Sequence, residues 1–358
     1  MTKPEIRIKR EARNSEFRHA GFGQVSGWWF VYSTFLRLIL AAVVVACLPA
    51  CDARPSSPEL VLYTSIDEPI ARPIIDEFTR QTGIRVAIVT DTEASKSVGL
   101  AERLRAEKSR PRADVWWGNE PFHTINLAHE GLFQPYNSPV AADVPTMFRD
   151  PDHRWAGNGL RARVFITTVH DASVTFSMQE LARSGFAMAR PGVGTTAGHV
   201  ASLYVAWGDQ RADQFFRDLR ASGAKLLGGN GPVAEAVARG EFAVGLTDND
   251  DVHNVRRLNE SVRMVPAWLG PEDRAAFLIP TTVALVAGRT DSDEARKLVD
   301  YLLSPEVERK LIDVQFAGWS VRSSDDQPKA MQVDYVEVAR RMPDAVRRAT
   351  AILEGRQP

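Results

Sequence analysis

Short apolar segments alternate with amphipathic segments from residue 59 onward, and this alternation constrains the fold more than any other feature. ELVLYTS (59–65) has the length and apolar content of a strand. In the next segment Ile70, Ile74 and Phe78 recur at helical spacing, and Gly83 closes the segment. Two further strand–helix pairs follow before residue 132. Strands and helices in this order are typical of a parallel sheet covered by helices.

A second set of alternating segments follows residue 160. RARVFITTV (161–169) and FAVGL (242–246) are predicted as strands, with further helices and two short strands, at FAMAR and KLLG, between them. Strands are also predicted in RMVPAW (263–268) and FLIPTTVALVAG (277–288), and the remaining chain is mostly amphipathic helix. The sequence therefore predicts an α/β protein with two lobes, each a mostly parallel sheet flanked by helices.

The N-terminal 51 residues differ from the body of the chain. A basic stretch ends at Arg37, an apolar run follows, and LPAC (48–51) comes next. This order is typical of a secretory signal, and it resembles a bacterial lipoprotein signal with Cys51 as the lipidated residue. Cys47 is the alternative lipidation site. A second alternative is an uncleaved anchor helix over 28–48, which would bury Arg37 at high cost.

Each of these interpretations places the body outside the cytoplasm and attaches it to a membrane, with 52–58 (DARPSSP) as a flexible tether. The first 51 residues hold seven Lys or Arg and three Glu, so the remainder carries 37 basic and 42 acidic residues. A mildly acidic body argues against nonspecific nucleic-acid binding. It contains no cysteine, which excludes disulfides and thiolate metal sites there.

An oxygen-rich run follows the predicted strand FAVGL. Asp248, Asn249, Asp250 and Asp251 are consecutive, and like charges this close repel. Helix capping explains one or two of the acids, because Asp and Asn are favoured at helix starts. The run does not fit an EF-hand loop. Ligands of open α/β sheets collect at the carboxyl ends of strands, so these acids are also candidates for contact with a cation, an amine or sugar hydroxyls.

Other predicted strand ends carry further candidates. Hydroxyl groups at a helix start suit an anion, although a plain helix cap is the competing interpretation. This applies to Thr64 and Ser65, near Asp67, and to the Gly-rich turn before Thr195 and Thr196.

Three more residues complete the set of candidates. Asn119 and Glu120 follow the strand ADVWW, where Glu120 is either a ligand contact or a surface acid that stabilises a helix start. Arg161 lies on the predicted strand that joins the lobes and is a candidate partner for a cleft acid.

Several of these segments, taken together, resemble one known family. LVLYTSIDEPIARPIIDEFTRQTGIRV, ADVWWGNEPFHTINLAHEGLFQPY, GLRARVFITT, AVARGEFAVGLTDNDD and ARKLVDYLLSPEVERKL resemble segments of the extracellular solute-binding proteins of ABC importers. Within that family the chain is most similar to the ferric-iron-binding periplasmic subgroup. The resemblance covers roughly residues 59 to 325. It implies a two-lobed periplasmic-binding-protein fold of type 2 that closes over a ligand by hinge motion, without catalysis.

The resemblance also implies limits for the parts of the chain. We expect a first lobe over 59–160, a second lobe over 161–270, and a return to the first lobe over 271–325, followed by a helical tail over 326–358.

The subgroup resemblance assigns roles to individual residues. Its iron binders commonly use two adjacent tyrosines, and the matching positions here are Asp250 and Asp251. The family's histidine falls at Asp67, and its glutamate falls at Asn119 with Glu120 beside it. The implied metal-binding set is Asp67, Glu120, Asp250 and Asp251. Arg161 matches an arginine that faces the bound anion in relatives.

The function predicted first is the substrate-binding subunit of an ABC uptake system. It would act as a monomer with a permease and an ATPase, and would capture ferric iron or another hard cation, with or without a co-bound anion. The cation would be cargo, and no resident cofactor is expected. The first alternative keeps the fold but takes an organic solute: an amine, a sugar phosphate or a phosphonate. The second is a secreted enzyme that uses acidic residues, which the lack of GxSxG, HExxH and P-loop motifs disfavours.

Overall fold

The computed structural model describes residues 59–91, 98–170, 176–184, 186–270, 272–289, 292–323 and 325–358. The predicted signal segment, with Cys47 and Cys51, and the predicted tether lie outside these residues. Within the described residues, no helix has the length and apolar character needed to cross a membrane.

Ten strands form in the described part of the chain. They are β1 (Leu60–Thr64), β2 (Val86–Thr90), β3 (Val115–Gly118), β4 (Phe133–Gln134), β5 (Ala156–Thr167), β6 (Ala187–Ala189), β7 (Lys225–Leu227), β8 (Val244–Asp248), β9 (Arg263–Pro266) and β10 (Leu278–Val286).

Eleven α-helices accompany them in the same described residues. They are α1 (Glu68–Thr82), α2 (Val98–Ala106), α3 (Pro121–His129), α4 (Met178–Ser184), α5 (Thr195–Trp207), α6 (Asp209–Ala221), α7 (Asn230–Ala238), α8 (Asn249–Val255), α9 (Asp293–Leu302), α10 (Pro305–Asp313) and α11 (Tyr335–Leu353).

The helices form where the sequence pattern places them. In α1 the apolar residues Ala71, Ile74, Ile75 and Phe78 are buried on one face. The helix ends at Gly83, whose φ of 73° suits a residue without Cβ and whose N–H donates to the Thr79 carbonyl over 2.8 Å. Helix α9 buries a similar stripe, formed by Ala295, Leu298, Val299 and Leu302.

The strands follow the order β2-β1-β3-β10-β5-β8-β6-β7, with β4 on β10 and β9 on β5. Parallel pairs occupy the outer parts, where β1 lies between β2 and β3 and β6 lies between β7 and β8. In the middle, β5 and β10 run antiparallel to their neighbours. The sheets are therefore mixed, because two long central strands return through them.

Strand β5 connects the two halves of this arrangement. Its residues 156–162 pair with β10, and residues 163–167 pair with β8 and β9. We use "first lobe" for β1 to β4, β10 and the start of β5, and "second lobe" for β6 to β9 and the end of β5. The predicted limit between residues 160 and 161 falls within this strand, so the lobes share a strand.

Helix α11 gives a second connection. It packs against α3, which follows a strand of the first lobe, and against α5 and α6 of the second lobe. Helices α3 and α5 also meet directly, since a Cβ at Gly198 would lie only 2.3 Å from the ring of Phe122. Glycine at position 198 therefore allows the two helices to approach this closely.

Candidate functional site

The oxygen-rich run lies at the junction of β8 and α8. Asp248 ends the buried strand, and Asp250 and Asp251 lie in the first turn of the helix. One carboxylate oxygen from each of the three lies within 4.8 Å of the others. Asp251 also accepts a hydrogen bond from the Asp248 backbone N–H at 3.3 Å, so helix capping and clustering occur together.

Asp248 is the most deeply engaged of the three acids. Its Oδ1 accepts from Arg163 Nη1 at 2.6 Å, while its Oδ2 accepts from Thr195 Oγ1 at 2.6 Å and from Asn230 Nδ2 at 3.3 Å. Burial alone would raise the pKa of Asp248, but the guanidinium groups of Arg163 and Arg161 lower it below its ordinary value. Asp248 is therefore an ionised, buried and fully paired carboxylate.

Arg161 connects the acids to the first lobe. Its Nη1 lies 3.4 Å from Asp248 Oδ2 and 3.4 Å from Asp250 Oδ2. Its Nη2 donates to the Asn119 carbonyl at the end of β3. The guanidinium carbon also lies 4.8 Å from the centre of the Phe316 ring. One cationic group thus contacts residues from both lobes.

The surroundings of Arg161 are strongly acidic. Burial would lower the pKa of Arg161, but the charges of Asp250, Asp248, Asp251 and Asp67 raise it above its ordinary value. Asp67 comes just before α1 and is half-buried. The structure therefore brings Asp67 into the electrostatic field of the predicted site.

A small cavity lies beside these groups. Three helix starts of the second lobe border it, at Thr195 of α5, Asn230 of α7 and Asp250 of α8, and Asn119 borders it from the first lobe. Its volume is about 30 Å³, which is room for roughly two water molecules. In this conformation the cavity fits an ion or a few atoms.

Thr64 and Ser65 form hydrogen bonds within the first lobe. Thr64 Oγ1 donates to the Trp117 carbonyl over 2.9 Å. Ser65 Oγ lies 3.1 Å from Asn119 Oδ1 and accepts from the Asn119 N–H at 2.9 Å. These bonds join the ends of β1 and β3. Of this group Asn119 lines the cavity, whereas the two hydroxyls do not.

Glu120 is the N-cap of helix α3. Its two carboxylate oxygens accept from the backbone N–H groups of Phe122 at 2.7 Å and His123 at 3.1 Å. Glu120 therefore stabilises a helix start, as one of the two interpretations predicted, but its side chain is buried and not at the surface. Among the described residues, Glu120 does not join the three clustered carboxylates.

Thr195 and Thr196 both enter a hydrogen-bond network. Thr195 Oγ1 donates to Asp248 and accepts from Arg163 Nη1 at 3.1 Å. Thr196 Oγ1 donates to Asn230 Oδ1 at 3.0 Å and accepts from Arg163 Nη2 at 3.4 Å. Thr195 lines the cavity, whereas Thr196 does not.

Sequence reasoning missed Asn230 and Gly231 as site residues. Both line the cavity at the start of α7, and Asn230 connects both threonines to Asp248. The sequence signal that could have found them is a position just after a strand, as for the other candidates, because GGNG follows the short strand KLL.

Two α/β lobes that share a strand, with polar strand ends and helix starts meeting around one cavity, define a ligand-binding protein of the periplasmic-binding-protein type. The chain belongs to the family of bacterial extracellular solute-binding proteins, whose sequence model matches residues 60–313. The predicted family and fold are thereby confirmed. The family is one of solute-binding transport proteins, which places the chain outside the cytoplasm.

Individual relatives agree with this assignment. The chain is 26% identical to the major ferric iron-binding protein of Neisseria meningitidis serogroup A, over 76% of this chain and 84% of the relative. It is 25% identical to a Salmonella typhimurium periplasmic protein named for 2-aminoethylphosphonate binding, over 71% of this chain and 76% of the relative. Iron-bound HitA from Pseudomonas aeruginosa has the same fold, with a TM-score of 0.72, 20% identity and coverage of 81% of this chain and 99% of HitA.

Proposed function

We propose that this protein is the substrate-binding subunit of an ABC uptake system whose cargo is a hard cation, with ferric iron the first candidate. The observation that carries the proposal is the meeting of Asp248, Asp250 and Asp251 within 4.8 Å beside a cavity of about 30 Å³. Carboxylate oxygens are preferred ligands of hard cations. Ferric-iron-binding relatives support the choice of metal.

Charge balance also supports a cationic cargo. Four acids, namely Asp67 and the three clustered aspartates, face two guanidinium groups, those of Arg161 and Arg163, so the site is short of positive charge. Arg161 Nη1 lies 3.4 Å from an oxygen of Asp248 and 3.4 Å from an oxygen of Asp250. Hydrogen bonds of this length are weak, so an incoming cation can take the place of Arg161 beside these carboxylates. We assign direct ligation to Asp250 and Asp251 and long-range attraction to Asp67. Glu120 is left out because its oxygens cap α3.

A second candidate is an organic solute that carries an amine. It is favoured by the cavity lining, since Thr195, Asn230 and Gly231 lie there at two helix starts near Arg161. In this arrangement Asp250 and Asp251 would bind the ammonium group. The phosphonate-binding name of one relative supports this class of cargo.

We further propose that the mature protein is a monomer held to a membrane by lipid on Cys51. It would deliver its cargo to a permease driven by an ATPase, and would have no catalytic activity. Mass spectrometry of the membrane fraction tests the lipid: an acylated N-terminal Cys51 supports it, and a chain that retains residues 1–50 contradicts it.

Titration calorimetry of the chain from residue 52 onward tests the cargo. Ferric iron presented as a weak chelate, divalent metals, polyamines, 2-aminoethylphosphonate and sugar phosphates form the panel. We expect ferric iron to bind tightest, and the double variant Asp250→Asn, Asp251→Asn to lose at least about 100-fold in affinity, or roughly 2.7 kcal/mol.

The matched control neutralises another adjacent pair, Asp325 and Asp326, which is exposed and distant in sequence. This control is expected to bind as the wild type does. Unchanged iron affinity in the Asp250/Asp251 double variant would refute the site assignment but leave the family intact. Tight binding of 2-aminoethylphosphonate without metal binding would establish the second candidate.

A further inference from the structure

The Asp248 carboxylate lies in a ring of donors that has the composition of an anion site. Arg163 Nη1 and Thr195 Oγ1 each lie 2.6 Å from it, and Asn230 Nδ2 and Arg161 Nη1 lie at 3.3 and 3.4 Å. Two guanidinium groups, a hydroxyl and an amide around one carboxylate match the donor set that proteins use for phosphate or carboxylate ligands.

The start of α5 belongs to this ring. Gly194 is the N-cap, with φ of 52°, and no side chain caps this 13-residue helix. The helix dipole therefore adds positive potential at Thr195, the residue that donates to Asp248. Asp248 itself comes from β8, so a separate element delivers the negative charge to this helix start.

Two donors of this network have no acceptor within the described part of the chain. The Nε groups of Arg161 and Arg163 are buried, and neither has a hydrogen-bond acceptor among the described residues. The network therefore contains two buried N–H donors that its own oxygens do not satisfy. Among the described residues, loss of the Asp248 charge would leave Arg161 with Asp250 at 3.4 Å but would remove the carboxylate partner of Arg163, whose buried guanidinium would then require another anion.

We propose that Asp248 serves as the protein's own anion, which fills the cradle at the start of α5 so that cargo binds without an external anion. The inference rests on the proposed function. A phosphate ion would need the same donors, and the Asp248 charge repels it from them. The proposal also favours a cation over sugar phosphates and phosphonates, because their anionic group would meet an occupied cradle.

Thermal unfolding in phosphate-free buffer, with inorganic phosphate then added up to millimolar concentrations, tests the proposal without any cation. We expect the melting temperature of the wild type to stay constant. Asp248→Asn keeps the shape of the side chain but removes its charge, so it is expected to melt lower and to gain at least about 2 °C with phosphate.

A matched control separates this effect from general stabilisation of unpaired arginines. Asp213 is also buried and paired with an arginine, since its Oδ2 lies 2.7 Å from Arg348 Nη2. Asp213→Asn is expected to melt lower too, but without a response to phosphate. A phosphate response in both variants would overturn the proposal, as would a folded Asp248→Asn with none.

If Asp248→Asn does not fold even in phosphate, measurements on the wild type test the proposal instead. Its ferric-iron affinity, measured with and without phosphate at fixed chelator, is expected to change by less than about twofold. A phosphate-dependent rise in the melting temperature or in the metal affinity of the wild type would overturn the proposal. Absence of metal binding would refute the proposed function alone, because the phosphate response of Asp248→Asn needs no metal.

Discussion

Replacing Arg163 by methionine tests how the buried carboxylate at the end of β8 is held. Arg163 is fully buried, and its Nη1 lies 2.6 Å from Asp248 Oδ1. The variant leaves Asp248 with a single guanidinium partner, Arg161 at 3.4 Å. Breaking a buried pair by removing one partner costs about 3–5 kcal/mol. We expect a loss near 3 kcal/mol at pH 7.5, because Arg161 and Thr195 remain.

The sign of the pH dependence separates this explanation from a simple loss of packing. In the wild type the pKa of Asp248 is lowered, so its contribution to stability is complete above the unfolded value of about 3.9 and is lost below it. Without Arg163, we expect burial to outweigh the remaining interactions with Arg161 and Thr195 and to raise this pKa above the unfolded value. The native state then takes up a proton as the pH falls, and stability recovers by up to about 1.4 kcal/mol per pH unit below the raised pKa.

Urea unfolding of both proteins at pH 7.5, 6.5 and 5.5 measures the difference. We expect the deficit of Arg163→Met to shrink on acidification. The double variant Arg163→Met, Asp248→Asn carries neither charge and is expected to show a deficit that does not change with pH. A deficit that is below 1 kcal/mol, or that stays constant from pH 7.5 to 5.5 in the single variant, would refute the reasoning.

Two further predictions concern the interior next to the site. Gly198→Ala forces a Cβ to within 2.3 Å of the Phe122 ring, so we expect it to cost about 1–3 kcal/mol in urea unfolding; wild-type stability would show that the two helices separate without cost. His199 is buried, stacks on Phe277 at 5.5 Å, and has a pKa well below its ordinary value because of burial and the Arg163 charge. The unfolded chain therefore binds more protons below pH 6.5, and the wild type loses up to about 1.4 kcal/mol per pH unit there. His199→Gln is expected to remove that slope, and an unchanged slope would contradict a neutral buried imidazole.

Much of the fold follows from local pattern. The helical spacing of Ile70, Ile74 and Phe78 and the stop at Gly83 give α1 within two residues. The direction of the central strands does not follow, because FLIPTTVALVAG is apolar enough to lie between neighbours of either orientation. Its antiparallel pairing with β3 and β5 depends on contacts between residues far apart in sequence.

The candidate site, like the fold, was only partly predictable from local sequence. Asp248, Asp250 and Asp251 lie close together, as expected for residues at the end of a single strand; their role as ligands stays a prediction. Glu120 follows a strand too, but its carboxylate turns onto α3. Pro121 at the first helical position was the local sign that Glu120 is an N-cap. The pairing of Asp248 with Arg163 joins residues 85 apart and had no local sign at all.

The shared strand β5 has a consequence for protein engineering. A fragment that stops at the middle of β5 would leave β10 or β8 without part of its ladder, and an unpaired strand edge promotes aggregation. Helix α11 adds to this, because each half alone would lose apolar surface that the helix covers. The lobes therefore cannot be exchanged between relatives as modules, and a chimaera needs its junctions in loops that leave β5, β10 and α11 from a single parent.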